Sequence, residues 1–366
     1  MDVSIRPILS RTLVAAAGLL FLGQAHAQSA ATPIAPAAPA ASLTLVGHAD
    51  LPGYSGDFDH FAYDAKGNRL FLAAEDHGTL EVFDLKSGAH LKTVTGFETP
   101  HSIFYVPSKN HLLVTDSGDS MTKVLDATTY KVVGSIKLTP GADSIGYDSG
   151  SKHLYVVTGG KDVKMTECLL AEIDPVTGKH FGDLKFDSNH TEAMAIEQHG
   201  DHLFINITDK NYMAVVDKKT RAVVATWPIK EAEQNAPVAF DEANHRLFVV
   251  TRKPGKLVVL NSDTGASLAS FTAPERTDEV VFDKANGRVY VLGGEGYIGV
   301  YQEKDPDHFA ELAHVPSAKG AKTGILVPEL NRLFVAVSPG EGNNTGAAVL
   351  QFAVAPGDAV HTASAK

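Results

Sequence analysis

Apolar residues in this chain come in short runs, separated by Gly, Asn, Asp and Pro, and one such run keeps returning. "NRLFLAA" (68–74) is followed by "HLLVTD" (111–116), "HLYVVT" (153–158), "HLFINI" (202–207), "HRLFVVT" (245–251), "RVYVLG" (288–293) and "RLFVAV" (332–337). The Leu or Val after the Arg or His serves as a marker: Leu70, Leu112, Leu154, Leu203, Leu247, Val289 and Leu333. Successive markers are 42, 42, 49, 44, 42 and 44 residues apart. The runs are β-branched or aromatic and apolar at consecutive positions, which predicts strands covered on both faces. A period of about 40–45 residues holding several short strands predicts a β-propeller.

Each unit divides in the same way. A first run ("HFAYD" 60–64, "SIGYD" 144–148, "PVAFD" 237–241, "EVVFD" 279–283) ends in a turn acid, and the marker strand follows. Fourteen residues after the marker, Asp84, Asp126, Asp217 and Asn261 close a third strand. "SGAH", "TGKH" and "TGAS" then read as turns into a fourth. A parallel solenoid would need shorter coils and no hairpin turns. The last unit offers "GILVPE", "RLFVAV" and "AAVLQFAV" but no fourth strand, whereas "LTLVGHA" (43–49) is a strand without partners. The expected fold is therefore all-β: a seven-bladed propeller of four-stranded antiparallel blades, with blade seven closed by the N-terminal strand so that no sheet edge stays open.

The marker strand, the Asp-terminated strand and the turn that follows carry a resemblance. Asp174-Pro175-Val176-Thr177-Gly178-Lys179 is the closest copy of the pattern, which resembles the YVTN-repeat propellers and specifically the YncE-like family. The likeness spans roughly residues 43–355 and implies an exported seven-bladed propeller. It implies little chemistry, since propellers host enzymes, binding modules and scaffolds alike. The WD40 spelling is absent: Trp227 is the only tryptophan.

Outside the repeats, Arg6 and Arg11 precede the apolar run "LVAAAGLLFLG" (13–23), and "AHA" (25–27) supplies small residues for cleavage. Residues 1–27 read as a signal peptide, too short to span a bilayer, and no cysteine follows to carry a lipid anchor. Residues 28–42 are an Ala/Pro-rich linker, 43–355 the propeller and 356–366 a C-terminal tail. A periplasmic or secreted location is expected, with no membrane insertion after cleavage. Cys168 is the only cysteine, so no internal disulfide can form, and its place inside "ECLLAEID" suits a small buried apolar residue. Covalent haem has no C-x-x-C-H to attach to. The net charge is −11, and loss of residues 1–27 makes it one unit more negative. Such a surface repels phosphate backbones, and no basic run argues for nucleic acid.

Candidate chemistry follows from the propeller geometry, in which the loop entering each first strand opens at one mouth of the central channel. Eleven positions before the markers lie Asp59, His101, Asp143, Glu192, Ala236, Asp278 and Lys322; one position later come His60, Ser102, Ser144, Ala193, Pro237, Glu279 and Thr323. His111, His153 and His202 fall instead at the position held elsewhere by Arg69, Arg246, Arg288 and Arg332, in solvated turns on the opposite face. His60 and His101, with His77 and His190 as further candidates, lie on the mouth side. Converging carboxylates raise one another's pKa unless a cation relieves them. Asp59, His101, Asp143, Glu192 and Asp278 are thus a candidate ligand set for Ca²⁺, Mn²⁺ or Zn²⁺, with His60, Glu279 and Lys322 completing a ligand-binding ring. Alternatively, Lys322 is the counter-ion of a solvated acidic mouth.

"GGKD" (159–162) and "GGEGYIG" (293–299) lie in hairpins with no helix to hold a phosphate. Loops at 158–167 and 340–344 lengthen the mouth face. The sequons at Asn206 and Asn343 carry meaning only in a eukaryotic host. No Ser-His-Asp or Cys-His set can be assembled from spacing alone, though distant residues can still meet in space. Two function classes remain. One is a binding or scaffold propeller for a small ligand or protein partner; the other is a metal-assisted, lactonase-like hydrolase or lyase at the mouth. A monomer is expected. Expressed with its leader in a Gram-negative host, the protein should carry Gln28 as its mature N-terminus, and N-terminal sequencing that finds Met1 on the exported chain would refute the cleavage site.

Overall fold

The structure, a computed structural model, describes residues 41–340 and 346–357. The leader and nearly all of the linker lie outside the described residues, as do most of the 340–344 loop, with Asn343, and the tail beyond residue 357. Among the described residues there are seven four-stranded antiparallel sheets, arranged as blades of a ring. The recurring phrase is the second strand of every blade: Arg69–Ala74, His111–Asp116, His153–Gly159, His202–Ile207, Arg246–Lys253, Arg288–Gly293 and Arg332–Val337. Inside it lie the first strands, Phe61–Asp64, Pro100–Val106, Ile145–Asp148, Thr191–Ile196, Glu233–Asp241, Thr277–Asp283 and Thr323–Val327. Among the described residues, no helix is long and apolar enough to cross a membrane.

The apolar runs of the second strands are explained by their neighbours. Leu70, Phe71, Leu72 and Ala73 are all 0% exposed although successive side chains point to opposite faces. Leu70 and Leu72 pack with Phe334 and Ala336 of blade seven, while Phe71 and Ala73 pack with Leu112 and Val114 of blade two. The same division recurs around the ring, with an apolar cluster in each of the seven gaps between blades. Fully burying one such side chain contributes about 1.5–3 kcal/mol. The fourth strands look outward, and Leu91, Val132 and Val224 are more than half exposed.

The seventh blade closes as the unpaired N-terminal strand predicts. Leu43–Leu51 pairs antiparallel with Ala347–Val354, from Leu43 opposite Val354 to Leu51 opposite Ala347, with one bulge between Leu45 and Gly47. Leu43 and Leu51 are both buried, in the gaps on either side of that blade.

The third strands end where the Asp and Asn positions place them, and the turn chemistry is shared. The Asp84 carboxylate accepts from the backbone N–H and hydroxyl of Ser87, both at 2.8 Å. Asp126 with Thr129, Asp217 with Thr220 and Asn261 with Thr264 repeat the motif. The residue after each hydroxyl has a left-handed backbone: Gly88 at φ 71°, Gly265 at φ 72°, but also Tyr130 at 59° and Arg221 at 55°. At Gly88 an added Cβ would also displace the Gln351 amide, the movable end of a flexible side chain.

On this face the recurring cation joins neighbouring blades. Arg69 pairs with Asp64 and donates to the Ala127 carbonyl of blade two. Arg246 donates to Pro306 O in blade six, and Arg288 to Ala355 O beyond blade seven. The histidines at the same position are half-buried rather than solvated: His153 meets Glu172 at 2.5 Å and stacks on Phe181 at 4.2 Å. Asn206 is 0% exposed, its amide donating to Ala236 O at 2.7 Å, so this sequon cannot be glycosylated in the folded protein. Cys168 is buried, as its apolar surroundings require.

Deleting residues 41–51 should open the edge of Ala347–Val354 and lower the melting temperature by more than ~5 °C. An unchanged melt by circular dichroism would contradict closure of the ring by this strand.

Candidate functional site

Backbone geometry brings the residues eleven before the markers to the channel mouth. Asp59 N–H donates to Ala73 O at 2.9 Å and Ala73 N–H donates back to His60 O at 3.1 Å; Asp143 and Ser144 make the same exchange with Val157, at 3.0 and 2.9 Å. Adjacent blades are joined at this level too. His60 N–H donates to His101 O at 3.3 Å, the Thr323 hydroxyl to Asp59 O at 3.0 Å, the Thr115 hydroxyl to Asp143 O at 3.1 Å and Asp278 N–H to Lys322 O at 3.2 Å. These bonds hold the mouth side chains at fixed azimuths around the channel.

Two groups of charges result. In the first, Asp59 is central: its Oδ2 is 2.7 Å from His101 Nδ1 and its Oδ1 is 3.4 Å from His60 Nε2. His60 Nδ1 in turn faces Glu279 at 3.4 Å, and Asp143 stands 3.7 Å from His101 Nδ1. The other ring nitrogen of His101, Nε2, lies 3.0 Å from the Ser117 hydroxyl. In the second group Arg252 reaches Glu192 at 3.0 Å and also pairs with Asp278. Lys322 sits 2.8 Å from both Asp278 and Asp57, and His190 2.8 Å from Glu192. Ala236 contributes a buried backbone acceptor, and His77 stacks on Tyr54 at 4.2 Å, apart from both groups.

The protonation pattern follows from these pairings. Burial opposes the charge of Asp59, yet His60 and His101 hold it well below the usual carboxylate range. His60 is raised well above an ordinary imidazole, against its own burial, by Asp59 and Glu279. His101 is likewise raised, to about 10, by Asp143 and Asp59 against the opposing effect of burial. Glu192, against burial, is lowered by Arg252. Two carboxyls stand apart. Burial, reinforced by Asp59, pushes Glu75 up to about 7, and burial together with neighbouring carboxylates raises Asp143 to about 6 despite His101.

A recess of about 160 Å³ opens between the first blades, walled by Asp59, His60, Glu75, His101, Asp143 and Glu192. Gly159, Gly160 and Lys161, from the 158–167 loop, form one rim. The ligand atoms of Asp59, His60 and Asp143 lie within 4.8 Å of one another, as do those of Asp59, Glu75 and His101. Of the five residues expected to share an ion, Asp59, His101 and Asp143 are thus brought together, while Glu192 and Asp278 are bridged by Arg252.

Four participants escaped the sequence reading: Asp57, two residues before Asp59, and Glu75, Ser117 and Arg252. The last three share one register, five residues after the markers Leu70, Leu112 and Leu247, at the end of the second strand. Counting forward as well as backward from each marker finds them.

Among solved structures, the chain is similar to a chain in "Crystal Structure of Mitotic Checkpoint Complex", with a TM-score of 0.67 and 13% identity over 91% of this chain and 98% of the other. It is similar to the same degree, TM-score 0.67, to a chain of "Kuenenia stuttgartiensis Hydrazine Synthase", at 15% identity over 81% of this chain and 96% of that one. At these identities the likeness shows the fold, a seven-bladed β-propeller. No family model matches the chain. No curated protein matches it either.

The raised pKa of Glu75 gives a signed prediction. A carboxyl titrating near 7 when folded and near its ordinary value when unfolded costs the native state stability as pH rises from about 4.5 to 7. Glu75→Gln should therefore melt a few degrees above wild type at pH 8 and level with it near pH 4. Equal melting temperatures at pH 8 would show that Glu75 is not strained by its neighbours.

Proposed function

We propose that the protein is an exported binding or scaffold propeller of YncE-like type whose channel-mouth recess takes the positively charged group of a small ligand or of a protein partner. One observation carries the reading. The acids in the recess outnumber their cations, and the shortfall falls on Glu75 and Asp143, whose carboxyls are raised while Asp59 and Glu192 are matched by histidines and arginine. A cation placed between Glu75 and Asp143 would favour their ionised forms and gain more there than at an exposed acid. The rim from the 158–167 loop is suited to selecting what enters. Nucleic acid is disfavoured by the overall negative charge.

A second reading keeps the cation but makes it a divalent metal, Ca²⁺, Mn²⁺ or Zn²⁺, serving a hydrolase or lyase. It rests on the two three-residue groups whose ligand atoms come within 4.8 Å. A bound ion would supply Lewis-acid polarisation of a carbonyl or phosphoryl oxygen. Thermal melts separate the two readings. Either cation should stabilise the protein, by about 2.7 kcal/mol at a hundredfold excess over the dissociation constant. Choline chloride raising the melting temperature at constant ionic strength, with no response to CaCl₂, MnCl₂ or ZnCl₂, supports the organic cation; the reverse pattern, undone by EDTA, supports the metal. In Glu75→Gln/Asp143→Asn the response should vanish. If wild type ignores all four salts, the cation reading falls.

A further inference from the structure

We propose that Ser117, His101 and Asp59 constitute a nucleophile, its general base and the carboxylate that orients the base, giving the channel mouth acyl-transfer activity toward small esters. The contacts use opposite nitrogens of one ring: Ser117 Oγ is 3.0 Å from His101 Nε2, and Asp59 Oδ2 is 2.7 Å from His101 Nδ1. That is the arrangement by which an imidazole accepts a hydroxyl proton while a carboxylate fixes its tautomer and direction. Three chain segments on two blades supply it, the hairpin after His111–Asp116, the entry to Pro100–Val106 and the entry to Phe61–Asp64.

Each member is held in place. The His101 side chain is only 12% exposed, and the second oxygen of Asp59 faces His60, which is steadied by Glu279. Ser117 N–H donates to Thr99 O at 3.0 Å. The preceding Asp116 accepts from Glu98 and Thr99 N–H, at 3.0 and 2.9 Å, and from Lys123 at 2.7 Å, so the strand end that carries the serine has a rigid base. Ser117 is half-buried beside the recess that His101 walls, and the proposal requires an acyl group to reach its hydroxyl from the half-exposed side. The charged groups facing His101 are Asp59, Asp143 and Glu75, with His60 acting through Asp59.

In the reaction, Ser117 Oγ adds to the ester carbonyl carbon as its proton passes to His101 Nε2. The tetrahedral adduct expels the alcohol, whose oxygen takes that proton, leaving an acyl-serine. Water, deprotonated by the same nitrogen, then releases the acid and restores the serine. No cation is needed, and the organic-cation reading, which rests on Glu75 and Asp143, stands or falls separately; a metal held by Asp59 and His101 would compete for the base, and EDTA in the test removes it.

The test is fluorophosphonate labelling of the purified protein in EDTA, at pH 7.5 and 9.5 because the surrounding carboxylates favour the imidazolium, followed by peptide mass spectrometry and p-nitrophenyl acetate hydrolysis. The expected result is one adduct per chain, on Ser117, together with ester hydrolysis that Ser117→Ala abolishes while its melting curve stays native. His101→Gln should slow labelling at least tenfold. No adduct on Ser117 at either pH overturns the proposal, as does ester hydrolysis undiminished in Ser117→Ala. Should His101→Gln fail to fold, wild type and Ser117→Ala still decide the matter.

Discussion

Every blade of this protein has two apolar faces, and that constraint organises the molecule. A sheet whose second strand reads Leu70-Phe71-Leu72-Ala73 with no exposed side chain cannot stand beside water on either side. Each blade therefore needs a neighbour on both faces, and among finite arrays only a closed ring gives one to all seven. Closure falls to blade seven, for which the C-terminal repeat supplies three of the four strands. The register of Leu43–Leu51 against Ala347–Val354 supplies the missing strand, and it also delivers Leu43 and Leu51 to the gaps on the two sides of that blade. The first and last gaps are thus packed by residues from both ends of the chain.

The two ends of the ring are held by different chemistry. Opposite the mouth, Arg69, Arg246 and Arg288 donate across blade boundaries to carbonyls of the next blade or the segment beyond it. These bonds consume the cations in structure, and a guanidinium with several fixed donors suits such a role. At the mouth, backbone amides and the hydroxyls of Thr115 and Thr323 join blades, and Arg252 adds one guanidinium bond, to Thr277 O of blade six. Most of the charged side chains there interact with one another across the channel.

What the mouth holds is a partly balanced set of charges. His60 and His101 answer Asp59, while Arg252 and Lys322 answer Glu192 and Asp278. The remainder sits on Glu75 and Asp143, beside an imidazole whose far nitrogen touches a serine hydroxyl. Capture of an organic cation and acyl transfer draw on different members of this set, whereas a metal would share Asp59 and His101 with the serine. The first uses the unmatched carboxyls, the second the one serine within reach of the ring.

The fold was legible in the chain because a propeller states its architecture in local patterns. The repeat interval, the doubly buried strands, the Asp-x-x-Ser/Thr turns and the partnerless N-terminal strand are all properties of neighbouring residues or of fixed spacing. So was the ring eleven positions before the markers, since equivalent positions in a symmetric array share one radius and height. The pairings within that ring were not legible. Whether Asp278 meets a metal or Arg252, and whether His101 meets water or Ser117, depends on side-chain directions across blade gaps, and the register that carries Glu75, Ser117 and Arg252 holds glycine at 159 and 294. Asn206 likewise reads as a glycosylation site and is instead a buried inter-blade donor. Sequence periodicity determines which residues reach the mouth, because it sets backbone position. Only the closed ring decides which of them touch, because Coulomb and hydrogen-bond energies vary over a single ångström that no spacing rule resolves.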